Sequence, residues 1–150
     1  MKKFLAILVM LITLLTFGAC EIGRTVDTEG DFTVVVDGET DLVYSIKLED
    51  LDLSKGALSI LLYLQETEGL NLVYENSTYG AYITEVGGLK TDSNGYVSLF
   101  TSYQPEWDVT EWCVKAEYNG VEVATAAVGV SSMSVIKGEI LYIKYVSYAG

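Results

Sequence analysis

A chain of 150 residues with 21 acidic and nine basic side chains and no histidine is long enough to close one domain around its own core. The formal charge of −12 repels phosphate backbones, which excludes nucleic acid as a partner. The missing imidazole removes histidine triads, histidine metal ligands and the usual general base at neutral pH, and two cysteines make no zinc cluster.

The chain opens with Lys2 and Lys3 before an apolar run, Phe4–Phe17. Its 14 residues fall short of the about 20 that a membrane-spanning helix needs. Phe17-Gly18-Ala19-Cys20 then resembles a bacterial lipobox, with phenylalanine where leucine is more usual. Residues 1–19 are read as a lipoprotein signal peptide and Cys20 as the site of lipid attachment; an uncleaved anchor and an ordinary secretory peptide are the alternatives. A lipidated Cys20 leaves Cys113 without a partner, so no intramolecular disulfide forms and the fold rests on its core. Loss of the two lysines leaves seven basic against 21 acidic residues, a balance of −14. Such a surface suits a soluble domain held off the membrane by its acyl chain.

Residues 20–30 (CEIGRTVDTEG) are polar and aperiodic and read as a tether, with the domain proper at 31–150. Phe32–Val36 and Leu42–Leu48 are predicted strands around Asp37-Gly38, the run Val34-Val35-Val36 marking a central strand covered on both faces. One helix is predicted over Lys55–Glu66, with Ser54 as N-cap, the carboxylates Glu49, Asp50 and Asp52 near its positive end, and Gly69 to stop it. Six apolar residues cover most of its circumference, so it must lie across a sheet. Asn71–Tyr74 is a short strand leading into Tyr74–Tyr103, read as two alternating strands joined by a turn at Asp92-Ser93-Asn94-Gly95, where Gly95 is free to take positive φ. Gln104–Thr110, with the lone Pro105, is an irregular excursion. Trp112–Tyr118 alternates Trp112, Val114, Ala116 and Tyr118 inward, and Asn119-Gly120 turns it back through Val121–Val123. Residues 124–137 are small and polar, and Glu139–Tyr148 is a closing strand that docks beside an earlier one. The expected fold class is α+β, one helix on a mainly antiparallel sheet of about seven strands.

Ser77-x-Tyr79-Gly80-Ala81-Tyr82-Ile83, Gly88-Leu89 and Gly95-Tyr96, with Gly129-Val130-Ser131-Ser132-Met133, Gly138 and Tyr142 near the end, resemble a bacterial surface-lipoprotein family of unknown function. Its domain is similar to the C-terminal β-domain of transcobalamin and intrinsic factor. The resemblance spans about Asp31 to Tyr145 and implies a β-grasp-like sheet with one packed helix. In the animal relatives this domain helps close over a corrinoid together with a separate helical domain, which has no counterpart among these residues. The segment Ser102–Val123, carrying Trp107 and Trp112, departs from the shorter pattern of many members.

Several groups have a plain structural reading beside a chemical one. Asp92-Ser93-Asn94-Gly95 spaces oxygens as a Ca²⁺ loop begins, but a strand follows where further ligands are needed, so a turn is the reading. Gly129–Met133 lacks the second glycine of a nucleophile elbow. Acidic residues alone leave a carboxylate-pair hydrolase open by residue type, with no cleft signature to support it. Cys113 reads as a small filler before a reactive thiol, and Asn76-Ser77-Thr78 as a turn before a glycosylation site. No enzyme, metal or cofactor is expected.

The aromatic supply is what remains. Eleven tyrosines and two tryptophans all lie after residue 20. Tyr79, Tyr82, Tyr96, Tyr103, Trp107 and Trp112, with Met133 from the closing motif, are the candidate ligand-binding residues, since Tyr and Trp join apolar area to a polar tip. Two functions follow from such a face. One is an exported, lipid-anchored domain, outside the cytoplasm, that binds a small ligand, corrinoid-like by the resemblance. The other is an adhesion or envelope-assembly module that docks a protein or glycan. A concave site of about 300 Å³ or more lined by Tyr82, Tyr96, Tyr103 and Trp112 marks the first; a flat exposed aromatic patch marks the second.

Overall fold

The computed structural model describes residues 24–148. The leader and Cys20 lie outside them. In order, the described residues form β1 (Asp31–Asp37), β2 (Leu42–Lys47), α1 (Ala57–Glu68), β3 (Leu72–Ser77), β4 (Gly80–Val86), β5 (Leu89–Lys90), β6 (Gly95–Thr101), a 3₁₀ turn (Gln104–Glu106), β7 (Lys115–Tyr118), β8 (Val121–Thr125) and β9 (Ile140–Ser147). The class is α+β, but with nine strands rather than about seven, in a six-stranded sheet ordered β2-β1-β9-β6-β8-β7 and a three-stranded sheet β3-β4-β5. The larger sheet is mixed, because β1 and β9 run parallel. Among the described residues no helix is long and apolar enough to cross a membrane.

The valine run behaves as its composition dictates. Val34, Val35 and Val36 are fully buried, and β1 sits between β2 and β9 with neighbours on both edges and both faces. Leu58, Ile60, Leu61 and Leu64 of α1 are buried with Phe32, Ile83, Val97, Leu141 and Ile143 in one core between the helix and both sheets. Each such side chain stabilises the fold by about 1.5–3 kcal/mol relative to exposure. A smaller cluster (Val35, Phe100, Val123, Ile140, Tyr142) fills the other face of the large sheet, under Ala116 and Tyr118 of the β7–β8 hairpin. Asn119 and Gly120 make that hairpin's turn with φ of 49° and 79°, the paired positive angles a tight turn requires.

Several expectations need correction. The stretch Tyr74–Tyr103 is not one hairpin: β4 pairs with β3 and β5, whereas β6 pairs with β9 over seven residues and with β8. The Asp92 turn therefore carries the chain from one sheet to the other. The partner that captures β6 lies some fifty residues on, at a distance local alternation does not register. Gly95 is needed for closeness instead of positive φ, since a Cβ there would stand 2.4 Å from the Val146 carbonyl oxygen.

The helix begins at Ala57, with Gly56 and not Ser54 at its N-cap and no side-chain cap. Main-chain carbonyls from residues 130–133 supply what Ser54 was expected to give. Ala57 N–H donates to Met133 C=O (3.2 Å) and Leu58 N–H to Val130 C=O (3.1 Å), meeting orphan donors of the first turn. That approach requires glycine at 56, where φ is +55° and a Cβ would sit 2.4 Å from the Met133 oxygen. The nearby carboxylates fix loops instead: Glu49 accepts from its own N–H and from Gly30 N–H, and Asp52 from Ser54 N–H, which holds both below the ordinary carboxylate range. Gly69 does stop the helix, in the left-handed conformation, with its own N–H and that of Leu70 donating to Leu64 C=O.

Trp112 does not point inward. The strand starts at Lys115; Trp112 precedes it in a turn closed by Cys113 N–H to Thr110 C=O and is 78% exposed. Within the strand the alternation holds, with Ala116 and Tyr118 half-buried and Lys115 and Glu117 exposed. Cys113 is half-buried and free. The described part of the 20–30 segment is docked: Val26 bridges Val135, and Thr25 and Asp27 exchange main-chain bonds with Val135.

Candidate functional site

Where β4 leaves the Ser77–Gly80 turn it comes alongside β6 without pairing to it. The segment Ala126–Gly129 crosses the gap and closes one end, leaving a cleft of about 300 Å³. Ladder parity decides which main-chain groups look into it. Ala81 presents its N–H to Ser131 Oγ (2.7 Å) and its carbonyl to Val130 N–H (3.1 Å), away from β3. Two residues on, Ile83 faces the same way, and its N–H and C=O turn into the cleft. On the opposite wall Val97 N–H donates to Thr91 Oγ1 and Leu99 C=O accepts from Ala126 N–H. The remaining Val97 C=O and Leu99 N–H share that edge, and both residues line the cleft.

The crossing segment is held close by absence of side chain. A Cβ on Gly129 would stand 2.7 Å from the Tyr79 carbonyl oxygen and 2.9 Å from that of Ala81. Gly129 N–H donates to Tyr79 C=O at 3.2 Å.

Of the residues singled out from the sequence, the structure brings three to this cleft. Tyr79 stands at its mouth, 84% exposed; Tyr82 is 42% exposed; Tyr96 is half-buried, with Tyr148 tilted against it at 5.5 Å between ring centroids. Tyr103, Trp107, Trp112 and Met133 are not part of it. Met133 is buried in the main core. Trp107 is half-buried behind the crossing segment: it bridges Ala126, its Nε1 donates to Thr101 C=O (2.7 Å), and Lys115 Nζ lies 4.9 Å from its ring centre. Ala126–Val128 of the wall went unnoticed in the sequence, where the signal was only a run of small residues before Gly129.

The lining contains no carboxylate, amine, guanidinium or thiol; its only ionisable side chains are the three tyrosines. The cleft is neutral, apolar at the floor and polar through main-chain groups and tyrosine hydroxyls. Two tyrosines outside the cleft have raised pKa values. Tyr142 donates to Asp37 (2.5 Å), and burial together with that carboxylate raises its pKa; Lys144 Nζ is 3.9 Å from the same oxygen. Tyr145 donates to Asp92 (2.6 Å), which pushes it up to about 12 and holds Asp92 low. Among the described residues no group of three or more Cys, Asp or Glu is placed to hold a metal ion.

The class of fold these sheets define is transcobalamin-like, with the helix and cleft in one compact layer arrangement. It matches haptocorrin in complex with Cbi at a TM-score of 0.56 and 17% sequence identity, over 79% of this chain and 25% of haptocorrin. The chain thus spans about a quarter of that protein's length. It also matches a crystallised Ruminococcus gnavus protein proposed to bind metal, at a TM-score of 0.50 and 17% identity, over 79% of this chain and 98% of that one. No protein-family profile matches the sequence, and no curated protein matches it in sequence.

Proposed function

We propose that this chain is a non-enzymatic binding domain of the bacterial surface-lipoprotein family it resembles, exported and moored outside the cytoplasm by lipid on Cys20. It holds a small ligand in the cleft between β4, β6 and residues 126–129. The observation that carries this reading is the cleft itself: about 300 Å³, floored by Ala81, Ile83, Val97 and Leu99, rimmed by Tyr79, Tyr82 and Tyr96, and without a charged lining residue. Main-chain donors and acceptors that face the cleft from both strands add directional polar contacts that fix a ligand's orientation. The likeness in fold to haptocorrin, itself seen with Cbi, makes corrinoid-like molecules the first class to test.

Trp107 reports on this cleft because it bridges Ala126 in the wall. Titration of residues 21–150 with corrinoids, hemes and glycans is expected to give saturable quenching for one class, weakened at least about tenfold by Tyr96→Ala, the loss typical of a binding aromatic. Unchanged emission with all three classes removes the small-ligand reading for them. For the anchor, Cys20→Ala is expected to move the protein from membrane to soluble fractions; retention after an alkaline wash assigns anchoring to the Phe4–Phe17 run instead.

A second reading, docking of an envelope protein or glycan, is favoured by one observation. Val109 and Trp112, on the same excursion, are 96% and 78% exposed, an apolar pair that water does not favour.

A further inference from the structure

The outer edge of the large sheet carries a second concavity, unrelated to the cleft. Among the described residues β2 pairs only with β1, which leaves its other edge open. Leu48 N–H donates to Gly30 C=O (2.9 Å), which sets the ladder's parity and turns the N–H and C=O of Val43, Ser45 and Lys47 outward. Three donor–acceptor sets thus repeat at roughly 6.7 Å, the two-residue spacing of an extended chain. Beside this edge runs helix α1, and between them lies a groove of about 510 Å³. Its floor is Tyr44, Ile46 and Leu64, its far wall Tyr63, and its ends carry Glu49 and Glu68.

We infer that this groove receives an extended, lysine- or arginine-bearing segment of another protein, added as a further strand to β2. A strand laid along the edge meets every outward main-chain group, and its alternate side chains enter the groove against α1. The carboxylate of Glu68, and the Glu49 oxygen that Gly30 N–H does not take, select basic side chains there. Lys47, the one base among the lining residues, belongs to the other face of the strand, with Val43 and Ser45. Charge also decides against a second copy as the occupant: pairing β2 with β2 brings Glu49 and Glu68 of two chains together, each chain carrying −12 overall. The edge has little of the usual protection, with one lysine and no proline or bulge in β2.

Panning a random octapeptide display library on the full chain in detergent, with the Ser45→Pro variant as counter-target, tests this. Proline at 45 removes an outward N–H that β1 does not use, a position where an edge strand tolerates it. Enriched sequences are expected to alternate, to be rich in Lys and Arg, and to bind at least tenfold more weakly to Ser45→Pro and to Glu68→Lys. They are also expected to slow hydrogen exchange at the amides of Val43, Ser45 and Lys47. Enrichment that is acidic, or that survives both substitutions, overturns the inference, as does an empty selection. A wild-type dimer in sedimentation that Ser45→Pro dissolves assigns the edge to a second copy and overturns it equally. Should Ser45→Pro fail to fold, Glu68→Lys, at an exposed site on the helix end, decides by itself.

Discussion

Residues 126–133 and residues 104–113 flank the same β7–β8 hairpin, and composition ranks them in the wrong order. The first is a bland run of Ala, Val, Gly and Ser ending in Met133; the second holds both tryptophans and the only proline. Yet the first is tied at every step to distant strands and to the helix. Gly129 donates to Tyr79 in the turn before β4 and Val130 to Ala81 in β4, Ser131 Oγ accepts from Ala81 N–H, and the Val130 and Met133 carbonyls complete the start of α1. The second is tied at its start, where Glu106 accepts from Ala127 N–H and Ser134 N–H, Trp107 Nε1 donates to Thr101 C=O and Asp108 N–H donates to Thr125 C=O (2.8 Å). Beyond Asp108 its hydrogen bonds among the described residues stay within the segment: Thr110 N–H to Asp108 Oδ1, Trp112 N–H to Thr110 Oγ1 and Cys113 N–H to Thr110 C=O. Chemical richness in a loop and structural consequence are separate properties. Long-range main-chain bonds confer the latter, and small residues permit them because nothing on Cβ stands in the way.

The sharpest test of that contrast is Met133→Ala. Met133 is 1% exposed amid the main core, and truncation there leaves a cavity, at a cost of about 2–5 kcal/mol. Urea unfolding is expected to show this as a lowered midpoint with an unchanged slope. Ligand affinity, measured well below the melting temperature, stays as in the wild type, because Met133 does not line the cleft. A loss below about 1 kcal/mol breaks the comparison by making 126–133 no more consequential than the excursion.

A smaller effect is expected from Ser131→Ala. Its hydroxyl takes up the Ala81 N–H at 2.7 Å in a partly buried setting, and removal leaves that donor without its partner, at about 1–3 kcal/mol. Because Ala81 and Gly129 wall the cleft, this variant is expected to weaken ligand binding as well as stability, unlike Met133→Ala. The two together separate the segment's part in the core from its part in the site. Equal binding in both variants denies the crossing segment any role in shaping the cleft.

The same contrast explains what was legible in the sequence. Val34–Val36, the Leu-rich helix, the Asn119-Gly120 turn and the alternation of Ala116 and Tyr118 declare themselves through period and turn chemistry, which act over a few residues. Tyr79, Tyr82 and Tyr96 were legible as candidates because they stand near one another in the chain. What escaped depends on partners far away: β6 leaves β4 for β9, the helix takes its cap from carbonyls at 130–133 instead of Ser54, and Ala126–Gly129 becomes a wall. No local pattern encodes a carbonyl arriving from seventy residues downstream. Trp112 was misjudged for the opposite reason, since its alternation with Val114 continues a strand pattern past the point where pairing with β8 begins.

The smallest expected effect is the most pointed. Trp112→Ala removes the largest exposed aromatic ring of the excursion, and since that side chain buries little, stability is expected to stay within about 0.5 kcal/mol of the wild type. Binding in the cleft is expected to stay unchanged too, and the emission that remains then comes from Trp107 alone, so the quenching on titration becomes a larger fraction of the signal. A drop in small-ligand affinity would mean that the excursion folds over the cleft when it is occupied, and the two regions would no longer be independent. Loss of binding to an envelope protein or glycan, with the cleft titration intact, would instead assign the exposed pair Val109 and Trp112 its own partner. Tyr96→Ala distinguishes these cases from the other side, for it impairs the cleft and leaves the excursion untouched.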